Sequence, residues 1–146
     1  MTAIRGFHHV GIVTDDLVTI RRVFGAVLGA EVREPVVEPA LGAEILWVEV
    51  GGVALEFLCP TSPDSRAAEI LRAGEGGVHH IALAVDDADV ALAELRDAGL
   101  ATIDAVARQG AGGARIGFVD PGHVAGTLVE LVGPPAPGQP TEAEVR

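Results

Sequence analysis

The residues best suited to chemistry are two histidine pairs and two glutamates that recur along the chain. The segments HHVGIVTDD (8–16) and HHIALAVDD (79–87) each contain a His pair and an Asp pair. Both pairs of the second segment lie 71 positions after those of the first. Each copy is followed by a glutamate among apolar residues, Glu56 in LEFL and Glu130 in LVEL, at His-to-Glu separations of 47 and 50 residues. A carboxylate inside a half-buried strand is costly unless it is paired or binds a metal. The repetition therefore indicates a shared chemical role.

Two imidazoles and two carboxylates would form a mixed nitrogen and oxygen metal site. This donor set suits a divalent metal, Co²⁺, Mn²⁺, Ni²⁺, Fe²⁺ or Zn²⁺, with water at the open positions. An ion with open positions could act as a Lewis acid that holds two substrate oxygens. Strand alternation lets only one histidine of each pair share a face with the site, and the pattern leaves open which one. For any single residue the alternative is a core or surface histidine, or a solvent-facing glutamate.

The elements that must position these residues repeat as well. Each copy opens with an alternating, strand-like stretch and enters a helix at its Asp pair, where Asp is a favourable N-cap. Each helix is expected to end near a glycine, Gly29 or Gly99. Three further strands are predicted in each copy, at 31–34, 43–50 and 53–58 in the first and at 101–107, 114–118 and 126–132 in the second. Gly51 and Gly52 predict a tight hairpin turn.

This order predicts an α+β fold in which two βαβββ modules pair into one curved mixed sheet around a metal cleft. We expect a single domain over 1–146, with module one at about 5–59, a linker at 60–77 and module two at about 78–132. Ser65 could cap a short helix within the linker. The Pro-rich tail at 133–146 is expected to be frayed, or to form a short arm against a partner.

Composition excludes several classes of partner. Hydrophobic residues make up 49% of the 146 residues and the formal net charge is −11. A surface with this much negative charge repels phosphate backbones and anionic membranes. Neither nucleic acid nor a membrane is therefore expected as a partner. No apolar run is long enough to span a bilayer, and the N-terminus does not read as a signal peptide. The sequence therefore predicts a cytoplasmic protein.

Four stretches resemble the vicinal oxygen chelate (glyoxalase/bleomycin resistance/dioxygenase) superfamily, and within it the methylmalonyl-CoA epimerases. They are HHVGIVTDDL, LGAEILWVEVGGVALEFLCP, GEGGVHHIALAVDD and QGAGGARIGFVDPGHVAGTLVELV, and the resemblance covers residues 7 to 132. It implies paired βαβββ modules and metal ligands at His9, Glu56, His80 and Glu130. It also implies a homodimer.

The resemblance implies an isomerase that removes and returns an α-proton of an acyl-CoA, or of a related small acid, through an enolate. Glu130 is the first expected base and Glu56 the second. Some bacterial relatives carry a catalytic Glu at the position of Ile45, and Ile cannot transfer a proton. Glu44, one position earlier, is expected on the other face of its strand.

Three other functions fit part of the pattern. A glyoxalase I-like lyase acting on a hemithioacetal would use a similar ligand set. A non-catalytic binding protein of the bleomycin-resistance type would need no metal, and an Fe²⁺ dioxygenase would need an open position where Glu56 stands. The doubled HH pairs and the loop before VEL favour the epimerase.

Three more residues are predicted to bind substrate. Arg115, in a glycine-rich stretch, could hold a carboxylate or phosphate, or could be a solvated strand residue. His123 could line the pocket from a loop, or lie at the surface. Trp47, the only tryptophan, could form a wall of the site or fill the core.

Overall fold

The computed structural model describes residues 1–138; the tail beyond, 139–146, lies outside the described residues. The chain divides into two compact units, a first unit of His9–His79 and a second unit that combines Met1–His8 with the residues from His80 onward. The N-terminal segment is attached to the second unit by side chains. Both oxygens of Asp86 accept from the guanidinium of Arg5, and Glu94 accepts from the backbone N–H of Thr2 at 2.7 Å.

The first unit follows the predicted order with one additional strand. It contains the second part of β1, helix α1, strands β2 to β5 and helix α2. Strand β5 is parallel to its neighbour β1 and antiparallel to its neighbour β4. Strand β2 and the additional strand β3 both pair with β4 in antiparallel orientation. The bounds are Ile4–Val13 (β1), Leu17–Arg21 (α1), Glu31–Val32 (β2), Val36–Glu38 (β3), Ala43–Val50 (β4), Val53–Pro60 (β5) and Arg66–Arg72 (α2).

The second unit has the same βαβββ order. Strand β9 pairs with β6 in parallel and with β8 in antiparallel, and β7 pairs with β8. The bounds are Gly77–Val85 (β6), Ala88–Asp97 (α3), Arg108–Gln109 (β7), Arg115–Val119 (β8) and Val129–Gly133 (β9). The predicted α+β class is confirmed. Among residues 1–138 no helix has the length and apolar character that crossing a membrane requires.

The predicted helix starts are confirmed by side-chain caps. Asp16 accepts from the N–H of Thr19, Asp87 from that of Val90, and Ser65 from that of Ala68. These contacts occupy backbone donors that have no partner inside the helix. After α1 the chain continues as a π-helix over Arg22–Val27.

One helix covers each sheet face that lies away from the His and Glu side chains. In the first unit Leu46, Val48 and Phe57 form a buried cluster against Ile20 and Phe24 of the helical segment. In the second unit Leu92 of α3 is fully buried and lies over Gly117 of β8, where a Cβ would come within 2.5 Å of Leu92 Cδ1. Burial of these faces fixes which side of each strand faces the helix.

The predicted strand at 101–107 is wrong. Only Thr102 forms an isolated bridge, with Val119, and the strand pairing with β8 is the short β7. The segment makes two backbone bonds, from the N–H of Ile103 to the carbonyl of Phe118 and from the N–H of Asp120 to the carbonyl of Ala101, and side chains make two more contacts: Asp89 accepts from the N–H of Ala107, and Asp104 accepts from that of Phe118. The predicted strand at 126–132 begins only at Val129, because a turn occupies the residues before it.

Candidate metal centre

In the first unit the register of two parallel strands brings His9 and Glu56 together. Glu56 on β5 is the partner of Gly11 on β1, and His9 lies two residues before Gly11 on the same face. The two residues are 4% and 5% exposed, and His9 Nε2 lies 3.1 Å from Glu56 Oε2. His8, one residue earlier, is exposed. Alternation thus separates the buried histidine from its neighbour.

The second unit repeats this geometry. Glu130 on β9 is the partner of Ala82 on β6, and His80 lies two residues before Ala82. His80 Nε2 lies 3.3 Å from Glu130 Oε2, and the two residues are 6% and 5% exposed. His79 is half-buried. Because the register is the same in both units, the distance from the histidine Nε2 to the glutamate Oε2 is nearly the same in both pairs.

An aromatic ring accompanies each pair. Trp47 on β4 is the cross-strand partner of Glu56, and its ring lies perpendicular to that of His9, with centroids 5.4 Å apart at 89°. The predicted site residue Trp47 is therefore next to two of the predicted ligands. It is half-buried.

The corresponding ring in the second unit is Phe118, which sequence analysis missed. Phe118 on β8 is the cross-strand partner of Glu130, and its ring is perpendicular to that of His80 at 5.6 Å and 89°. A signal was present: Phe118 follows Trp47 by 71 positions, the offset that also relates the His pairs.

The difference of three residues between the two His-to-Glu separations lies in a turn. Val48 and Leu55 are paired with six residues between them, since the pairing continues to Val50 and Val53 at the two-residue turn Gly51–Gly52. The equivalent pair in the second unit, Val119 and Val129, encloses a loop of nine residues, which is three more. The longer loop leaves the pairing beside Glu130 unchanged.

The donor set fits a divalent metal. Two donors of one ion, each about 2.0–2.2 Å from it, lie roughly 3.0–3.5 Å apart, which matches both N···O separations. Burying two histidines and two carboxylates is costly without compensating partners. The donors are the nitrogen and oxygen atoms expected for a catalytic ion with open positions.

Two of the predicted substrate-binding residues are placed elsewhere. Arg115 shares a strand face with Gly117, which faces α3, and its guanidinium donates to Asp89 Oδ2 at 2.9 Å. Phe118 occupies the other face of β8. His123 lies exposed in a short 3-10 turn after β8. The described contacts therefore bring Trp47, but not Arg115, to a His–Glu pair.

Ile45, at which the resemblance implies a glutamate in some relatives, lies on the site face of the first unit. Ile45 is two residues from Trp47 on β4 and is fully buried. Glu44 lies on the opposite face, as predicted, across from Cys59. Burial raises the pKa of the Cys59 thiol, and the charge of Glu44 adds to that effect.

The sequence pattern of the Glyoxalase/Bleomycin resistance protein/Dioxygenase superfamily matches residues 8–118. The chain belongs to this superfamily, as the paired motifs and the fold indicate.

Within the superfamily the chain is similar to methylmalonyl-CoA epimerases. It is 36% identical to the mitochondrial methylmalonyl-CoA epimerase of Bos taurus, over 85% of this chain and 71% of that protein. It is 32% identical to an ethylmalonyl-CoA/methylmalonyl-CoA epimerase of Cereibacter sphaeroides, over 85% and 94%. A Streptomyces coelicolor methylmalonyl-CoA epimerase variant in complex with 2-nitronate-propionyl-CoA superposes with a TM-score of 0.80 at 31% identity, covering 94% of this chain and all of that one (100%).

Proposed function

We propose that this protein is an epimerase that inverts the α-carbon of a small acyl-CoA with the help of a divalent metal. The observation that carries the proposal is the pair of buried His–Glu contacts, His9–Glu56 and His80–Glu130, at the same strand register in both units. It is supported by relatives that are named as epimerases of methylmalonyl-CoA and ethylmalonyl-CoA.

The proposed metal ligands are His9, Glu56, His80 and Glu130. All four offer the imidazole nitrogen or carboxylate oxygen donors that divalent metals bind in proteins. When bound, a Co²⁺, Mn²⁺, Ni²⁺, Fe²⁺ or Zn²⁺ ion would supply a Lewis acid that polarises the thioester carbonyl and so acidifies the neighbouring C–H bond. Burial of the four side chains excludes water and strengthens every charge interaction around them.

The proposed bases are the two glutamates. Glu130 takes the proton from the α-carbon, so that the C–H bond breaks, an O–H bond forms and the electron pair passes towards the substrate carbonyl. Glu56, which starts as the carboxylic acid, delivers its proton to the opposite face, so its O–H bond breaks as the new C–H bond forms. After one inversion Glu130 is protonated and Glu56 is ionised, the state from which the other enantiomer reacts in reverse. A carboxylate has two oxygens, so one can face an ion while the other faces the α-carbon. Two such groups remove the need for a carboxylate at Ile45.

A homodimer, which the family resemblance implies, and a cytoplasmic location, which the sequence predicts, are part of this proposal. The homodimer is supported by exposed apolar side chains on the helical segment and on β3, since extended apolar surface is typical of protein interfaces. These side chains are Val18, Val27, Leu28, Val36 and Val37. Sedimentation equilibrium of the metal-loaded protein would measure the mass of the assembly, and a monomer would contradict this prediction.

The test is exchange of the α-hydrogen. Protein reconstituted with Co²⁺ is incubated with methylmalonyl-CoA in D₂O, and proton NMR follows the loss of the α-hydrogen signal. We expect metal-dependent exchange, and a loss of about 10²–10⁴-fold in Glu130→Gln because general acid–base catalysis contributes that much. Glu56→Gln is expected to suppress inversion.

A matched control is Glu44→Gln. Glu44 lies one residue from Ile45 on the opposite face of β4, so its replacement should leave exchange unchanged. Absence of exchange in a protein shown to bind the metal would reject the methylmalonyl-CoA assignment and direct the search to hemithioacetals. Absence of metal binding would reject the metal site and favour a binding protein.

A further inference from the structure

We infer that Trp47 and Phe118 are positioning residues that fix the orientation of the imidazoles of His9 and His80. This goes beyond the ligand set itself, and its link to metal binding rests on the proposed function. No direct contact between either ring and a substrate is required.

The first argument is the freedom of an imidazole. Rotation about χ2 of histidine is broad and roughly two-fold, and a half-turn exchanges the positions of Nε2 and Cε1, so burial alone does not choose which of these two atoms faces the glutamate. In each unit Nε2 faces the carboxylate, at 3.1 Å and 3.3 Å. An aromatic ring perpendicular to the imidazole blocks its rotation into that space, and perpendicular contacts are a favoured arrangement of aromatic pairs.

The second argument is repetition. The two contacts have nearly the same centroid distance and the same interplanar angle of 89°, although one ring is Trp47 and the other Phe118. Both lie at the cross-strand position of the glutamate, so each ring flanks both members of its pair. By contrast, Phe24 and Phe57, which pack in the core of the first unit, are tilted by 48°. Perpendicular packing is thus a property of the two histidine contacts and not of every ring pair in this protein.

The third argument is the support behind Phe118. Asp104 accepts from the backbone N–H of Phe118 and from Nε of Arg108, and the Arg108 guanidinium lies 5.5 Å from the centre of the Phe118 ring. Backbone and ring are therefore both held. Groups that orient metal ligands from behind commonly change metal affinity by 10–100-fold when removed.

The first measurement needs no metal. Long-range ¹H–¹⁵N NMR of the metal-free protein reports the protonated nitrogen and the ring mobility of each histidine. Trp47→Leu should alter the signals of His9 only, and Phe118→Leu those of His80 only. Trp47→Phe keeps a ring and should retain the native His9 signals. Phe24→Leu, the matched control, should lower stability and leave both histidines unchanged.

The second measurement is Co²⁺ affinity, obtained by competition with a chelator. We expect the dissociation constant to rise about ten-fold in Trp47→Leu and in Phe118→Leu. It should stay within about two-fold of native in Trp47→Phe and Phe24→Leu, well below the changes expected on loss of an orienting group. If Phe118→Leu does not fold, as judged by circular dichroism, the inference is tested by Trp47→Leu and Trp47→Phe alone, since Trp47 is only half-buried.

Native histidine signals and a native Co²⁺ dissociation constant in both leucine variants would overturn the inference. Altered histidine signals in Phe24→Leu would also overturn it, because general loosening would then explain the effect. If the native protein binds no Co²⁺, the proposed function fails, and the metal-free spectra still decide whether the two rings position the imidazoles.

Discussion

The two units place equivalent side chains at the same register on differently built supports. In the first unit the strand beside the glutamate presents Leu46 to the helical segment, where it packs with Ile20 and Phe24. The equivalent position 71 residues later is Gly117, and the space is filled from the other side by Leu92 of α3. One unit places the large side chain on the strand, and the other places it on the helix.

The difference teaches which features of the module are constrained. A shift of one residue in strand pairing would turn His9 or His80 to the opposite face, so the register beside each glutamate has to be kept. The core behind the sheet has to be filled, but either layer can supply the volume. Turn length is equally free, since a two-residue turn and a nine-residue loop lead to the same pairing.

The largest expected effect tests the exchange of volume between layers. Leu92→Ala empties a fully buried site and should cost about 2–5 kcal/mol in the free energy of unfolding, measured by urea titration. Adding Gly117→Leu moves the side chain to the strand, as in the first unit, and should restore part of that loss. A double variant less stable than Leu92→Ala would show that the two layers are not interchangeable. Leu46→Ala, also fully buried, should lose a similar amount.

A smaller effect tests the close approach at Gly117. In Gly117→Ala the new Cβ would lie 2.5 Å from Cδ1 of Leu92, a side chain that is fully buried. Overpacking of this kind should cost about 1–3 kcal/mol, seen as a lower Tm. Gly6 is the control, because a Cβ there meets nothing within 4 Å. Equal Tm values for Gly117→Ala and Gly6→Ala would contradict the proposed role of this glycine.

A third effect tests Asp89, which accepts a hydrogen bond from the N–H of Ala107 in the segment 101–107 of the second unit. Hydrogen bonding from Arg115 lowers the pKa of Asp89, burial opposes that effect, and the N–H of Ala107 adds to it. A lowered pKa in the folded state means that the stabilisation is present above the ordinary pKa of Asp and is lost as the pH falls through the lowered value. Asp89→Asn should therefore weaken the protein at pH 7 more than at pH 3.

The size of this effect should be about 1 kcal/mol or less, because the Asp89 side chain is 43% exposed and solvent screens its charge. Urea unfolding at the two pH values measures it. Asp97→Asn, at an exposed position of the same helix, is the control. A loss in Asp89→Asn that is the same at pH 7 and pH 3 would assign the effect to packing and not to charge.

The smallest expected effect concerns the N-cap of α1 in the first unit, Asp16. The hydroxyl of Thr19 is the main cause of the lowered pKa of Asp16, with the backbone N–H of Thr19 as the next. Asp16→Ala should lower the Tm slightly at pH 7, and the difference should shrink as the pH falls below the ordinary pKa of Asp, since the stabilisation from a carboxylate with a lowered pKa is lost as the pH falls through the lowered value. Thr19→Val should reproduce part of the change. An undiminished difference at pH 3 would show that the charge of Asp16 is unimportant.

Much of the local structure could be predicted from the sequence because its causes are local. The caps at Asp16, Ser65 and Asp87 lie within three residues of the N–H groups they accept from. The strand at 101–107 could not be excluded in this way. The N–H of Ala107 in this segment donates to Asp89, and Asp104 of the segment accepts from the N–H of Phe118. These hydrogen bonds join residues that are 14 to 18 positions apart in the chain.

The sequence by itself determined the two-copy plan and the pairing of a histidine with a glutamate in each copy, because repetition shows through residue types and spacing alone. Only the tertiary structure decided which histidine of each pair is buried, that Trp47 and Phe118 stand against the imidazoles, and that Arg115 faces α3. Those outcomes depend on strand register and on which face the helix covers. Both are set by contacts between residues distant in the chain, and a spacing pattern does not encode them.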